Sequence, residues 1–416
     1  VWTNTALLIA LLLTAFVFLA SLYVVAFALF GIFKPQAPGR RSYAASFLVL
    51  VPAHNEGEGI KATILSLRQA AYPEDRMRVV VIADNCTDNT AEIAAACGAD
   101  VWVRNDTRNP GKGQALAWAL AQARSDIDLV AVIDADSEVD PDFFSLMAGA
   151  YSDAARRGQA AVVLQARYLF AKTAQHASAK QATAQPATKQ QPSWFEAFTI
   201  SSKAAENSFT YRPRTALGLA NLIQGNGFCM SRAALAAVPF LATSIVEDAE
   251  YAIALALEGV PVRLVDKARV TSRMTRRVSE AAPQRQRWAS GFFALLVQAI
   301  PRLLTAALRR RSWRPAEMAV MLLLTSRLVI LYATVVAAAI LSAFFTTPDA
   351  RPIAAILCAA ALLQAIYLFL IFRKADSEPV PLLTIAFLPF YVGFLGVLQL
   401  GAAFGLKRRQ WVRTVR

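Results

Sequence analysis

The chain has 416 residues, 56% of them hydrophobic, with a formal charge of +14 and a positive mean hydropathy. That is too apolar for a soluble enzyme of ordinary make-up. The basic excess does not mark a nucleic-acid binder, because much of it lies in residues 263–314 and in the tail, beside apolar segments where anionic headgroups account for it better.

Residues 6–33 carry no charge and are long enough to span a bilayer with some tilt. A cleaved signal peptide fits poorly: there is no basic leader and the apolar run is too long. Lys34, Arg40 and Arg41 come next, so the positive-inside rule puts the domain after them in the cytoplasm, with residues 1–34 as an anchor in the cell (inner) membrane. Residues 47–51, 78–84, 99–103, 128–134 and 160–170 then read as buried strands, with helical stretches between the first four. Such alternation of strand and helix predicts an α/β domain built on a mostly parallel sheet covered on both faces. Residues 171–193, rich in Ala, Gln and Lys, read as a disordered surface insertion, and His176 within it is assigned no chemistry. Cys86, Cys97, Cys229 and Cys358 show no paired spacing, which implies neither a disulfide framework nor a zinc site. The segment 281–312 is amphipathic and suited to a membrane surface. Further apolar spans are expected at 317–345, 353–372 and 382–406. Arg327 faces protein or a cavity in the first of them, and a basic tail at 407–416 ends the chain.

In doubly wound sheets, ligands bind beyond the carboxyl ends of the strands. Here VPAHNEGEG follows the first strand, ADNCTDNT the second and DADSEVD the fourth. One acid after a strand is ordinary loop chemistry, but three clusters converging on one edge make a ligand site. Asp134, Asp136, Glu138 and Asp140 fall at every second position. If the strand continues, Asp134 and Asp136 share a face and repel unless a cation sits between them, and hard divalent cations take carboxylate oxygens. A helix cap and turn is the alternative. It suits Asp140 before Pro141 and leaves Asp134 and Asp136 unexplained.

The chain continues with IQGNGFCMSR, SIVEDAEYAIALALEG and QRQRW. An Asp after the second strand, an Asp-x-Asp, a Glu-Asp pair and Gln-x-x-Arg-Trp, in that order, resemble the membrane-embedded inverting glycosyltransferases of family 2. That family includes cellulose, hyaluronan and poly-N-acetylglucosamine synthases and several lipid glycosyltransferases. The resemblance spans residues 47–291. It implies a GT-A (Rossmann-like) catalytic domain over residues 45–280, flanked by transmembrane helices, that moves glucose or N-acetylglucosamine from a UDP-sugar to a membrane lipid or growing glycan. Glu56 and Asp84 would hold the uracil and ribose, since carboxylates accept from ring N–H groups and hydroxyls. Lys112 would reach the base or diphosphate, with a solvated helix-start lysine as the alternative. Asp134 and Asp136 would present Mg²⁺ or Mn²⁺ to the diphosphate, Asp136 more directly. Asp248 would be the general base, with Glu247 its neighbour; the alternative is charge favoured by a helix start. The family usually has a small or hydroxylated residue before the pair, where this chain has Val246. Gln284, Arg287 and Trp288 would meet acceptor and diphosphate, Arg287 by bidentate pairing. Asn226 and Gly227 would shape the acceptor side, Gly227 by close backbone approach.

Two other classes are weaker. A nucleotidyltransferase needs a basic phosphate-gripping loop after the first strand, where this chain has acids; a transporter needs neither an Asp-x-Asp nor a base. The small membrane region after residue 316 favours one or few sugar additions over a processive polysaccharide synthase, whose secretion channel would need a second copy or an export partner.

Overall fold

A computed structural model describes residues 2–33, 39–57, 59–123, 126–171, 193–241, 244–273, 278–325, 330, 334–339, 351–374, 380 and 382–403. The five expected strands are present as β1 (Phe47–Ala53), β2 (Met77–Asp84), β3 (Asp100–Arg104), β4 (Leu129–Val132) and β6 (Val163–Ala171). Three more went unread in the sequence: β5 (Ser137–Val139), β7 (Phe228–Ser231) and β8 (Val262–Arg273). One eight-stranded sheet results, in the order β3-β2-β1-β4-β7-β6-β8-β5. β1 pairs in parallel with β2 and β4, whereas β7 runs antiparallel between β4 and β6, and β5 runs antiparallel to β8.

Alternation along the strands divides the core in two. Leu48, Leu50, Val80, Ile82, Val130 and Val132 point to one face. Phe47, Val49, Val51, Val81, Leu129 and Ala131 point to the other. The second face is covered by α2 (Ile60–Arg68) and by α5 (Phe143–Arg156), through Ile64, Leu67, Phe143 and Met147. α3 (Thr90–Ala96) joins β2 to β3. The first face receives Leu116 of α4 (Lys112–Leu120).

After β6 come α6 (Trp194–Glu206), a π-helical turn (Asn207–Tyr211), α7 (Arg212–Ala216), α8 (Arg232–Ala237) and α9 (Glu247–Leu257). α10 (Val278–Arg309), α11 (Trp313–Thr325), α12 (Arg351–Lys374), α13 (Leu382–Ile385) and α14 (Leu388–Ala403) complete the chain, and α1 (Trp2–Phe33) begins it. Three helical stretches among the described residues are long and apolar enough to cross a membrane: Leu7–Phe33, Ala281–Arg309 and Arg351–Arg373. The second is the segment expected at a membrane surface, and its packing sets it apart from the others. Ala299 and Leu303 of α10 join the sheet's core, as do Met318 and Leu322 of α11 and Tyr251 and Leu255 of α9. Arg327, the insertion at 172–192 with His176, and the tail at 407–416 lie outside the described residues.

The long apolar helix α1 and the sheet domain are bolted together at a buried ion pair. Arg214 of α7 is fully buried and pairs with Glu317 of α11, while Tyr23 of α1 donates to Glu317 Oε1 at 2.8 Å and accepts from Arg214 Nη1 at 2.8 Å. Arg214 also donates to the Ala220 carbonyl through Nε at 3.0 Å and Nη2 at 2.7 Å, so the guanidinium is well satisfied. A Cβ on Gly31 would stand 2.3 Å from the Ser208 carbonyl oxygen, which shows how closely α1 lies on the π turn.

Two sequence expectations are corrected here. β4 ends at Val132, and Asp134 and Asp136 lie in the turn that leads to β5, so no shared strand face aligns them. Asp140 does not cap a helix: α5 begins at Phe143 with Asp142 at the cap position, and Asp142 pairs with Arg41. Asp140 instead packs in the fold, where burial pushes its carboxyl above the usual range against the pull of Arg269.

Candidate active site

The loops after β1, β2 and β4 and the loop before β7 meet at one edge of the sheet, because β1, β2 and β4 end there and antiparallel β7 starts there. Asn55 ties the first two loops together: its Oδ1 accepts the Thr87 N–H at 2.7 Å and the Asp88 N–H at 3.3 Å. Glu56 donates its backbone N–H to Thr90 Oγ1 at 2.8 Å, and its carbonyl accepts from Gly59 and Ile60 at the start of α2.

Asp84, the last residue of β2, is buried and pairs with equally buried Arg104 at the end of β3, Nη1 to Oδ1 at 2.6 Å. Asp84 Oδ2 accepts a long 3.4 Å bond from the Gly111 N–H. Arg104 is anchored in turn on Asp106 Oδ2 at 2.9 Å and the Asn109 carbonyl at 2.8 Å. The predicted nucleoside carboxylate therefore comes with a cation that the sequence reading passed over, since an Arg ending a strand looks like a solvated side chain.

Lys112 opens α4 and points inward. Its ammonium pairs with the Asp134 carboxylate and donates to the Gly225 carbonyl. Burial alone would depress its pKa, but Asp134, Glu247 and Asp248 outweigh that and hold it above the ordinary value. The solvated-lysine alternative does not describe this residue.

Asn226 is fully buried and bonds the aspartate turn. Its Oδ1 accepts the Asp134 N–H at 3.0 Å; its Nδ2 donates to Ser137 Oγ at 2.8 Å and Ser272 Oγ at 3.0 Å. Ser137 Oγ also donates to Asp136 Oδ1 at 3.1 Å. Gly227 has φ +66°, and a Cβ there would stand 2.2 Å from Val270 Cγ1. In this structure Gly227 approaches β8 closely.

Glu247 and Asp248 begin α9. Asp248 Oδ1 accepts the Ala249 N–H at 2.8 Å, and a Cβ on Gly225 (φ +77°) would stand 2.9 Å from Asp248 Oδ2. Glycine at 225 thus lets Asp248 and Lys112 close on the same short loop. Burial and the neighbouring Asp248 push the Glu247 carboxyl up to about 7, with Lys112 pulling the other way. Asp248 is also raised, by burial, against the Ala249 N–H and Lys112. The field of Glu247 reaches Arg287 on α10. α10 is seated on the preceding loop at Gly291, where a Cβ would stand 2.7 Å from Ile245 Cγ1. Gln284 is half-buried on this helix, and Trp288 is 45% exposed. Lys112, Asp134, Gly225, Glu247, Asp248 and Arg287 therefore form one charged cluster.

Among the described residues, no group of three or more His, Cys, Asp or Glu side chains gathers to hold a metal ion. The donor chemistry still fits a hard cation. Mg²⁺ and Mn²⁺ sites on phosphate substrates use one or two carboxylates and complete their shell with phosphate oxygens and water. With Asp134 engaged by Lys112, Asp136 is the carboxylate better placed for that task.

The family model for glycosyl transferase family 2 matches residues 48–211, the stretch from β1 to the π turn that carries Asp84, Lys112 and both turn aspartates. Residues 48–211 are thus similar to glycosyl transferase family 2. Over 93 residues, 21% of this chain, the sequence is 34% identical to the probable glycosyltransferase YdaM of Bacillus subtilis. Over 92 residues, 22% of this chain, it is 38% identical to an uncharacterized glycosyltransferase of Mycobacterium tuberculosis. The chain spans 22% and 37% of the lengths of these two relatives. In fold it is similar to a mannosyltransferase from Pyrobaculum calidifontis solved with GDP-Man and Mn²⁺, with a TM-score of 0.58 over 96% of this chain and 99% of that one at 19% identity. The matched segment thus sits in a GT-A-like fold flanked by long apolar helices.

Proposed function

We propose that the chain transfers a sugar, with inversion, from a UDP-sugar to a hydroxyl of a membrane lipid or short glycan at the cytoplasmic membrane face. Residues 45–280 form the catalytic part in this reading, and α1 and α12 cross the membrane. The observation that carries the proposal is Lys112, whose half-buried ammonium bridges Asp134 to the Gly225 carbonyl beside the raised carboxyls of Glu247 and Asp248. A cation fixed at a strand edge suits a diphosphate, and a carboxylate of raised pKa suits proton removal near neutral pH.

Glu56 and Asp84 take the nucleoside, Arg104 holding Asp84 in place. Lys112 and Arg287 face the negative charge of the diphosphate from two sides. Asp136, with Asp134, would hold Mg²⁺ or Mn²⁺; when bound, the ion would supply further charge neutralisation on the departing diphosphate. Asp248 takes the proton of the acceptor hydroxyl as its oxygen attacks the anomeric carbon. The bond from that carbon to the diphosphate oxygen breaks on the opposite face, UDP leaves, and the configuration inverts. Trp288, exposed beside Arg287, offers an apolar plate to the acceptor.

The test is release of nucleoside diphosphate by purified, detergent-solubilised protein given UDP-sugars and GDP-mannose, Mn²⁺ and a membrane lipid extract. UDP release that requires Mn²⁺ and disappears in Asp136→Ala is expected. No release from any donor above a heat-treated control would refute transfer, and release from GDP-mannose alone would refute the UDP assignment.

A further inference from the structure

β6 reads VLQARYLFA, and Gln165 is a fully buried amide in an otherwise apolar stretch of that strand. A buried amide is costly unless its hydrogen bonds are made. Gln165 makes them to one loop: Oε1 accepts the Gln224 N–H at 2.9 Å, and Nε2 donates to the Asn226 carbonyl at 2.9 Å and to the neighbouring Ala166 carbonyl at 2.9 Å. The loop it grips, Gln224 to Gly227, is the one that offers Gly225 to Lys112 and Asn226 to the aspartate turn.

A second buried amide grips the same loop from the other side. Asn207 opens the π turn, a form of helix that often marks functional sites. Its Oδ1 accepts from Gln224 Nε2 at 3.0 Å, and its Nδ2 donates to the carbonyls of Tyr168 and Lys203, each at 2.9 Å. The adjacent Ser208 is fixed too: its Oγ accepts from Arg167 Nη2 at 2.8 Å, Arg167 pairs with Asp266 at 2.7 Å, and its carbonyl is where Gly31 of α1 lies closest.

We propose that Gln165 and Asn207 are positioning residues of the transfer site, a buried amide relay running from the π turn beneath α1 through the Gln224–Gly227 loop to Asp134 and Asp136. The relay has no direct part in the chemistry. It fixes the height of Asn226, and Asn226 fixes the aspartate turn through the Asp134 N–H and Ser137. Outer hydrogen bonds of this kind set the affinity of a carboxylate site for its ion, with losses of roughly 10- to 100-fold when they are removed. This inference rests on the transfer reading for the role of the two aspartates.

The experiment is UDP binding to the full chain in detergent, by calorimetry, as Mn²⁺ is titrated. In Gln165→Leu and Asn207→Leu the half-saturating Mn²⁺ concentration rises about tenfold or more, and the double variant is little worse than either single one, because both act on one loop. Asn221→Leu is the control. Asn221 is equally buried and bonds Thr215 Oγ1 and the Val262 carbonyl, off the relay, so its loss lowers thermal stability without moving the Mn²⁺ dependence. Should Gln165→Leu not fold, Gln224→Met keeps the backbone bond to Gln165 and removes the Asn207 end of the relay at a half-buried side chain, with a smaller shift in the same direction. Unchanged Mn²⁺ dependence in Asn207→Leu and Gln224→Met, with only the melting temperature lowered, would overturn the relay alone. A parent protein that binds no UDP at any Mn²⁺ concentration sinks the UDP-transfer reading and the relay with it.

Discussion

Lys112 and Asp134 form an ion pair at the centre of the cleft, and the charges of Glu247 and Asp248 act on the same ammonium. Lys112 in return pulls both carboxyls down from where burial would leave them. Lys112→Met therefore raises both, and the base stays protonated to a higher pH. The acid limb of the pH profile of kcat/KM is expected to move to higher pH. An unmoved limb contradicts the coupling.

Glu247 sets a pH dependence of stability whose sign comes from its raised pKa. The folded state keeps the Glu247 proton up to about 7, whereas an unfolded chain releases it near the ordinary glutamate value. Its stabilising contribution is thus complete below the unfolded value and fades as pH rises through about 7. Glu247→Gln removes that dependence. A gain of about 1–2 kcal/mol is expected at pH 8, vanishing near pH 4, in denaturation measured across that range.

At the bolt between α1 and the sheet domain, Glu317→Ala leaves the buried Arg214 guanidinium without its carboxylate. The expected cost is about 3–5 kcal/mol, read as a lowered melting temperature in detergent. Arg214→Met with Glu317→Leu restores most of it, since a buried ion pair and an apolar pair of similar volume are of comparable stability. If the double variant melts as low as the single one, the pair does more than satisfy its own charges.

Arg104→Met removes the cation that holds Asp84. Donor KM is expected to rise about tenfold with kcat little changed, because the nucleoside end of the donor lies away from the transferred bond. A fall in kcat at constant KM would place Asp84 nearer the chemistry.

The sequence exposed what is local. Runs such as FLVLV and RVVVIAD bury both faces of a strand, so β1 and β2 were legible, and so were the acids at their ends. β7 was not, because FCMS is too short and mixed to separate from a loop, and its place between β4 and β6 is set by pairing across about 100 residues. The aspartate turn was misread as strand because alternating acids mimic the strand period, while what arranges them is Asn226, distant in sequence. Arg104 acts through Asp84 at a separation of 20 residues, Gln165 through Asn226 at 61, and Asn207 through Tyr168 at 39 and Gln224 at 17. Gln165 and Arg167 inside AVVLQARYLF are the local signs that polar partners have to be met there.

The central claim is that Asp248 is the base of a sugar transfer, and Asp248→Asn tests it most directly because it keeps shape and removes proton acceptance. Donor binding and turnover should be measured together, beside Glu247→Gln. The account predicts that Asp248→Asn binds UDP-sugar as the parent does while turnover falls roughly 10²- to 10⁴-fold, and that Glu247→Gln loses less. If Asp248→Asn loses donor binding while Glu247→Gln loses only turnover, the two roles are reversed; parental turnover in Asp248→Asn would contradict the assignment outright.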